Sequence, residues 1–230
     1  MVSDRDVPAN LAQVRARLRA AEERFGRDPG SVRLLAVSKK QATAMIRSAH
    51  AAGQTAFGES YLQEAAEKMG SLSDLALEWH FIGRIQGNKT RQIAERFAWV
   101  HSLCDPRHAR RLSDQRPAGL PPLKACIQVN LSGEASKAGV APDAVGELLQ
   151  SCAGLSGLLV AGLMTLPAPE TDEEGKRRPF RALRNLRDRL ATAEQPLNVL
   201  SMGMSHDLEA AIAEGATIVR IGTAIFGPRG

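Results

Sequence analysis

The segment "LLAVSKK", residues 34–40, runs four apolar residues and a serine into two adjacent lysines. If a strand ends there at the rim of a pocket, partial desolvation lowers the pKa of one amine and makes it a nucleophile toward a carbonyl carbon. The plain alternative is a strand reaching solvent, where most lysines reside. Far along the chain, "GMSHD" (203–207) and "GTA" (222–224) carry a second chemistry. Ser205 is a good N-cap for the helix "HDLEAAIAEG", so its hydroxyl and the N–H groups beyond it can receive an anion. Gly222 has no side chain to block approach to the next amide, and Thr223 adds a hydroxyl. Singly these are a cap and a turn; at the same end of two consecutive strands they form a phosphate cradle. Whether amine and cradle meet depends on the elements that carry them.

Those elements alternate between two periods. Residues 9–26 read as a charged amphipathic helix closed by Gly26 and the "RDPG" turn. Eight short apolar runs follow, at 31–38, 55–58, 77–83, 98–103, 122–130, 157–166, 198–203 and 217–222. Segments of helical composition separate them, several ending on glycine as a helix C-terminus prefers. Strands alternating with helices predict parallel βαβ units, and eight strands close a (β/α)8 barrel. A doubly wound open sheet is the competing architecture, but it announces itself with a glycine-rich loop after the first strand, and "AVSKKQAT" has no glycine. Only eight residues follow the eighth strand, so the N-terminal helix is expected to cover that part of the wall. Residues 1–230 are read as one barrel domain.

Composition narrows the classes. The chain has 230 residues, 43% hydrophobic and 24% charged, with a net charge of +5. Its densest basic stretch, 176–190, spaces Phe180, Leu183, Leu186 and Leu190 as a helix would, so the arginines form a wet face. The aromatic interleaving of a single-strand nucleic-acid binder is missing. Cys104, Cys126 and Cys152 are odd in number and widely spaced, which disfavours a disulfide framework or a zinc site and fits a reducing compartment. Neither a signal-peptide core nor an apolar run long enough for a bilayer is present, so a cytoplasmic protein with no membrane or nucleic-acid partner is expected.

In a (β/α)8 barrel the chemistry gathers at the C-terminal ends of the strands, with phosphate often held after strands seven and eight. That selects Lys39 and Lys40, "GES" after the second strand, "GRIQGNK" after the third, "NLSGEASKAG" after the fifth, and "MTLP", "MGMSHD" and "GTAIFG" after the last three. Adjacent strand residues point to opposite faces, so only one of the two lysines is expected to reach the mouth. A phosphate cradle opposite a lysine calls for a ligand bearing both phosphate and aldehyde. Pyridoxal 5′-phosphate is the common cofactor of that description, held as a Schiff base.

The motifs "LLAVSK", "FGESYLQE", "WHFIGRIQGNK", "VNLSGEASKAGV", "GLMTLP" and "SMGMSHDLEAAIAEGATIVRIGTAIFG" give the whole chain a resemblance to the pyridoxal phosphate homeostasis protein family. That family is a single-domain relative of the N-terminal barrel of bacterial alanine racemases. The resemblance implies that Lys39 carries the cofactor. It also implies that Ser205, Gly222 and Thr223 hold the phosphate, that Arg220 lies beside the ring nitrogen, and that Ser60 and Met204 belong to the lining. Two positions depart from the family: Ser60 stands where asparagine is common, and Lys40 where a neutral residue is. The implied role is a non-catalytic monomer that buffers or carries the cofactor, with apo-enzymes as recipients. The alternative is a racemase or related enzyme. A racemase needs a base on each face of its substrate, supplied in alanine racemases by a lysine and by a tyrosine of the partner's additional domain. Here Tyr61 is the single tyrosine, and His206, the nearest substitute base, is expected on the phosphate side, away from the reacting carbon.

Overall fold

The computed structural model describes residues 6–132 and 138–228; the middle of the "NLSGEASKAG" loop therefore lies outside the described residues. The strands are β1 Arg33–Val37, β2 Ala56–Glu59, β3 Glu78–Phe81 and β4 Trp99–Leu103, then β5 Leu123–Gln128, β6 Leu158–Met164, β7 Val199–Ser201 and β8 Ile218–Ile221. The helices are α1 Val7–Arg24, α2 Thr43–Ala51, α3 Leu62–Ser71 and α4 Thr90–Arg96, followed by α5 Pro106–Asp114, α6 Val145–Cys152, α7 Glu173–Leu190, α8 Leu208–Ala213 and α9 Thr223–Phe226. All eight strands pair in parallel and in sequence order, and β1 pairs with both β2 and β8, closing the barrel as expected. Seven of the eight strands are shorter than the apolar run that announces them, because the ends of those runs belong to loops; β2 is as long as its run, 55–58, but starts one residue later.

Strand alternation divides the barrel into two layers. In β1, Leu34 and Ala36 join the large outer cluster with Phe57, Trp79 and Val100 and the apolar faces of the helices, while Leu35 points inward to Ala56 and Ile218. A second inner cluster holds Trp99, Cys126 and Met164.

The N-terminal helix does cover the closing wall. Pro8 stands in the first turn of α1 and Asp6 caps it, its carboxylate accepting from the Ala9 N–H. Val7, Leu11, Val14 and Leu18 are buried at helical spacing, and α1 packs against α2, α8 and α9. Two polar bonds fix its register: Asn10 donates to the Ile225 carbonyl at 3.1 Å, and Arg17 pairs with Glu209 at 2.8 Å. Among the described residues, no helix is long and apolar enough to cross a membrane.

Candidate functional site

A cavity of about 280 Å³ opens at the C-terminal mouth of the barrel. Lys39, Met204, Ser205, Arg220, Gly222 and Thr223, six of the seven residues expected there, line it together. Val37, Ile82, Met164 and Leu166 supply its apolar surface, and His206 borders it beside Ser205. The volume suits a cofactor-sized molecule.

Ser60 stands apart from that lining. It follows β2, and its backbone lies against Gly83 so closely that a Cβ on Gly83 would sit 2.1 Å from the Ser60 carbonyl oxygen. Glycine at position 83 is what allows this close approach of the two backbones.

The two lysines separate for a reason other than strand alternation. β1 ends at Val37, so Lys39 and Lys40 both lie in the turn after it. Lys40 takes the left-handed conformation, φ 59°, which swings its amine outward over the Tyr61 ring at 5.9 Å. Lys39 is left half-buried at the cavity.

A buried polar cluster, absent from the sequence reading, clamps that turn from the outer side. Lys68 on α3 donates to the Ser38 carbonyl at 2.7 Å and pairs with Glu59 at 2.8 Å. The Ser38 hydroxyl donates to the same Glu59 oxygen at 2.6 Å. Glu64 accepts from Lys68 and from the Lys40 N–H, both at 2.5 Å. Burial raises the Glu59 pKa against the pull of Lys68 and Ser38, and its second oxygen has no hydrogen-bond partner among the described residues. The signal in the sequence was the Glu64–Lys68 spacing of four on a predicted helix.

On the opposite side, Ser205 does not cap α8 as expected. The helix starts three residues later at Leu208, after Asp207, whose carboxylate accepts from the Met204 N–H at 2.5 Å. Asp207 closes the 204–207 turn, and Arg17 of α1 holds the Ser205 carbonyl from outside at 3.3 Å. Ser205 thereby sits on the inner side of a turn rather than on a helix end. Gly222 precedes α9, and a Cβ there would come within 3.1 Å of the Val37 carbonyl, which explains why glycine lets β8 continue into this rim.

Arg220 forms the floor. Its Nη1 donates to the carbonyl and hydroxyl of Ser201 at 2.6 and 2.8 Å, and its Nη2 to the Thr165 carbonyl at 2.9 Å. Burial lowers its pKa to about 10, which still leaves a cation at neutral pH.

An amine at one wall, hydroxyls and a glycine rim at another, and a guanidinium below can hold an anionic, carbonyl-bearing ring. The three cysteines are free thiols, and Cys126, inside the barrel, is pushed up to about 12 by burial. Among the described residues, no group of three metal-ligating side chains converges.

Comparison with known proteins follows the same geometry. The sequence profile of the alanine racemase N-terminal domain matches residues 9–230. A pyridoxal phosphate homeostasis protein of Pseudomonas aeruginosa is 55% identical over 223 residues, covering 97% of this chain and 96% of that protein. One from Escherichia coli K12 is 47% identical over 227 residues, covering 97% of each. The structure of PipY from Synechococcus elongatus PCC7942 with pyridoxal phosphate bound has a TM-score of 0.84 at 36% identity, covering 96% of this chain and 100% of that one. An alanine racemase of Clostridium difficile 630 shares the fold at a TM-score of 0.76 and 12% identity, over 97% of this chain and 56% of its own. With near-full-length coverage on both sides, the chain belongs to the pyridoxal phosphate homeostasis protein family.

Proposed function

We propose that the C-terminal cavity binds pyridoxal 5′-phosphate, with Lys39 joined to it as a Schiff base, and that the chain buffers the cofactor and carries it to apo-enzymes. One observation carries this reading: Lys39, the Ser205–Thr223 rim and Arg220 line the same cavity. The donor set fits the group. Gly222 leaves the rim open where a side chain would crowd Val37, and hydroxyls of Ser205 and Thr223 are suited to phosphate oxygens. Met204 and the apolar wall of Val37, Ile82 and Met164 suit a planar ring. When bound, such a cofactor supplies an electron sink for carbanion chemistry. The chain's own residues use little of it. Arginine stays protonated, so Arg220 beside the ring nitrogen disfavours a second proton there. Tyr61 is 51% exposed and lies under Lys40, not in the cavity. His206 borders the cavity on the Ser205 side, leaving Lys39 as the base nearest the carbonyl end. A single lysine cannot both remove a proton from one face and return it to the other, which favours a carrier over a racemase.

The test is an absorbance spectrum of the purified chain with the cofactor, before and after borohydride reduction, followed by peptide mapping. The label is expected on Lys39; Lys39→Ala abolishes it and Lys40→Ala keeps it. A label that survives Lys39→Ala overturns the assignment. Rapid formation of D-alanine from L-alanine, lost in Lys39→Ala, overturns the carrier role.

A further inference from the structure

The inside of this barrel is crossed by a continuous line of polar groups. Glu78 Oε1 lies 2.5 Å from His80 Nε2, and His80 Nδ1 lies 2.9 Å from His101 Nε2. His101 Nδ1 lies 2.8 Å from the Ser201 hydroxyl, which receives the Arg220 Nη1–H at 2.8 Å. Both histidines are fully buried. The line starts at the first residue of β3, where Arg33 pairs with Glu78 at 2.8 Å, and ends at the cavity floor.

Its two ends fix its direction. A guanidinium can only donate, and an ionised carboxylate can only accept. The Glu78 carboxyl is held down to about 2 by His80 and Arg33, so it is ionised at neutral pH. Every group between must then donate toward Glu78. Ser201 gives its hydrogen to His101 Nδ1, His101 gives Nε2–H to His80 Nδ1, and His80 gives Nε2–H to Glu78. The competing arrangement, a doubly protonated His80, puts a cation in the core. Burial opposes that, as do Arg33 of β1 and Lys124 of β5 around His80, and Arg220 of β8 beside His101, against Glu78 alone in favour. Both imidazoles are therefore neutral and in the Nε2–H form.

This direction has a consequence at the cavity. The Ser201 hydrogen is committed to His101, so its oxygen always presents a lone pair to Arg220. Together with the carbonyls of Ser201 and Thr165, three of the five guanidinium N–H groups are taken up on the β6–β7 side. We propose that Glu78, His80, His101 and Ser201 are positioning residues for Arg220, a one-way hydrogen-bond relay that holds the guanidinium in one orientation at the cavity floor, and that this orientation favours ligands with a ring acceptor above it. The selection of the ring rests on the cofactor reading given above; the relay itself does not.

The relay is tested on the full chain without ligand. Long-range 1H–15N correlation spectra of the histidine rings at pH 7 are expected to show His80 and His101 neutral and Nε2–protonated. An Nδ1–H form or an imidazolium at either residue overturns the relay. Its action on the floor is tested by titrating pyridoxal phosphate and its 1-deaza analogue, which keeps the aldehyde and phosphate but lacks the ring acceptor. Ser201→Ala is expected to weaken pyridoxal phosphate about tenfold and leave the analogue unchanged, with Ser201→Thr restoring affinity. Equal losses for both ligands, or none for either, overturn the positioning role. Failure of the unaltered chain to bind either aldehyde would refute the cofactor reading and the ring selection, while the spectra still decide the relay.

Discussion

The outer and inner faces of the same eight strands are built to opposite rules. Outside, Leu34, Phe57, Trp79, Val100 and Leu163 merge with Leu11, Phe180, Leu183 and Ile212 of the helices into one apolar layer. Inside, apolar contacts break into two small groups around Leu35 and Trp99, and between them runs the line from Glu78 to Arg220. Burial of large side chains against helices supplies most of the stability. The interior also carries the line from Glu78 to Arg220, whose buried groups are hydrogen-bonded to one another and therefore hold one geometry. The difference teaches that stability and positioning are written on alternate residues of each strand. Glu59 is the exception: an outward carboxylate under α3, used to clamp the Lys39 turn.

Substitutions on the two faces should then behave differently. Phe180→Ala empties a fully buried site in the outer layer and is expected to cost about 3–5 kcal/mol in urea unfolding, with cofactor affinity of the folded chain unchanged. A matching loss of affinity would erase the distinction between the layers.

Next comes Lys68→Met. Leaving Glu59 buried without its cation is expected to cost about 3 kcal/mol at pH 8. Burial already raises the Glu59 pKa, so the folded state takes up a proton before the unfolded chain does. The cost should therefore shrink as pH falls toward 5 and the carboxyl is neutralised. A cost equal at both pH values would mean that Lys68 acts by packing alone.

The inner histidines set an acid window of the opposite sign. Both are held below the ordinary histidine value, chiefly by burial. The unfolded chain binds protons below about pH 6.5 where the folded chain does not. Stability is full above that pH and falls below it, by up to about 1.4 kcal/mol per pH unit for each histidine. Glu78 adds its own loss only lower, between 4.5 and about 2. Urea midpoints from pH 7 to 5 check this, and His80→Gln with His101→Gln should flatten the slope. An unchanged slope in that double variant would place the acid sensitivity elsewhere.

The smallest expected effect is at the rim. Ser205→Ala with Thr223→Ala removes two hydroxyl donors and should weaken pyridoxal phosphate at least about tenfold, leaving unphosphorylated pyridoxal unaffected. Equal losses for both ligands would put the phosphate elsewhere.

By itself the sequence determined the barrel, the covering helix and the strand ends that gather at one mouth. Period-two and helical patterns, and turn residues at strand ends, are local properties that survive without knowledge of what lies opposite. It also put Lys39 and the Gly222–Thr223 step at strand ends that meet at one cavity, because strand direction in a parallel barrel assigns every C-terminus to one mouth, whereas Arg220 entered only through the family resemblance. What it misplaced was finer than that. The α8 start shifted because Asp207, not Ser205, closes the turn. Lys40 left the cavity by a left-handed backbone rather than by strand alternation. Ser60 is not among the residues that line the cavity. Only the tertiary structure decided the partners of Arg220, Glu59 and the two histidines. His101 meets Ser201 across 100 residues, and Arg220 meets Thr165 across 55. No periodicity encodes such pairs, since they follow from the register in which eight strands stagger as they close.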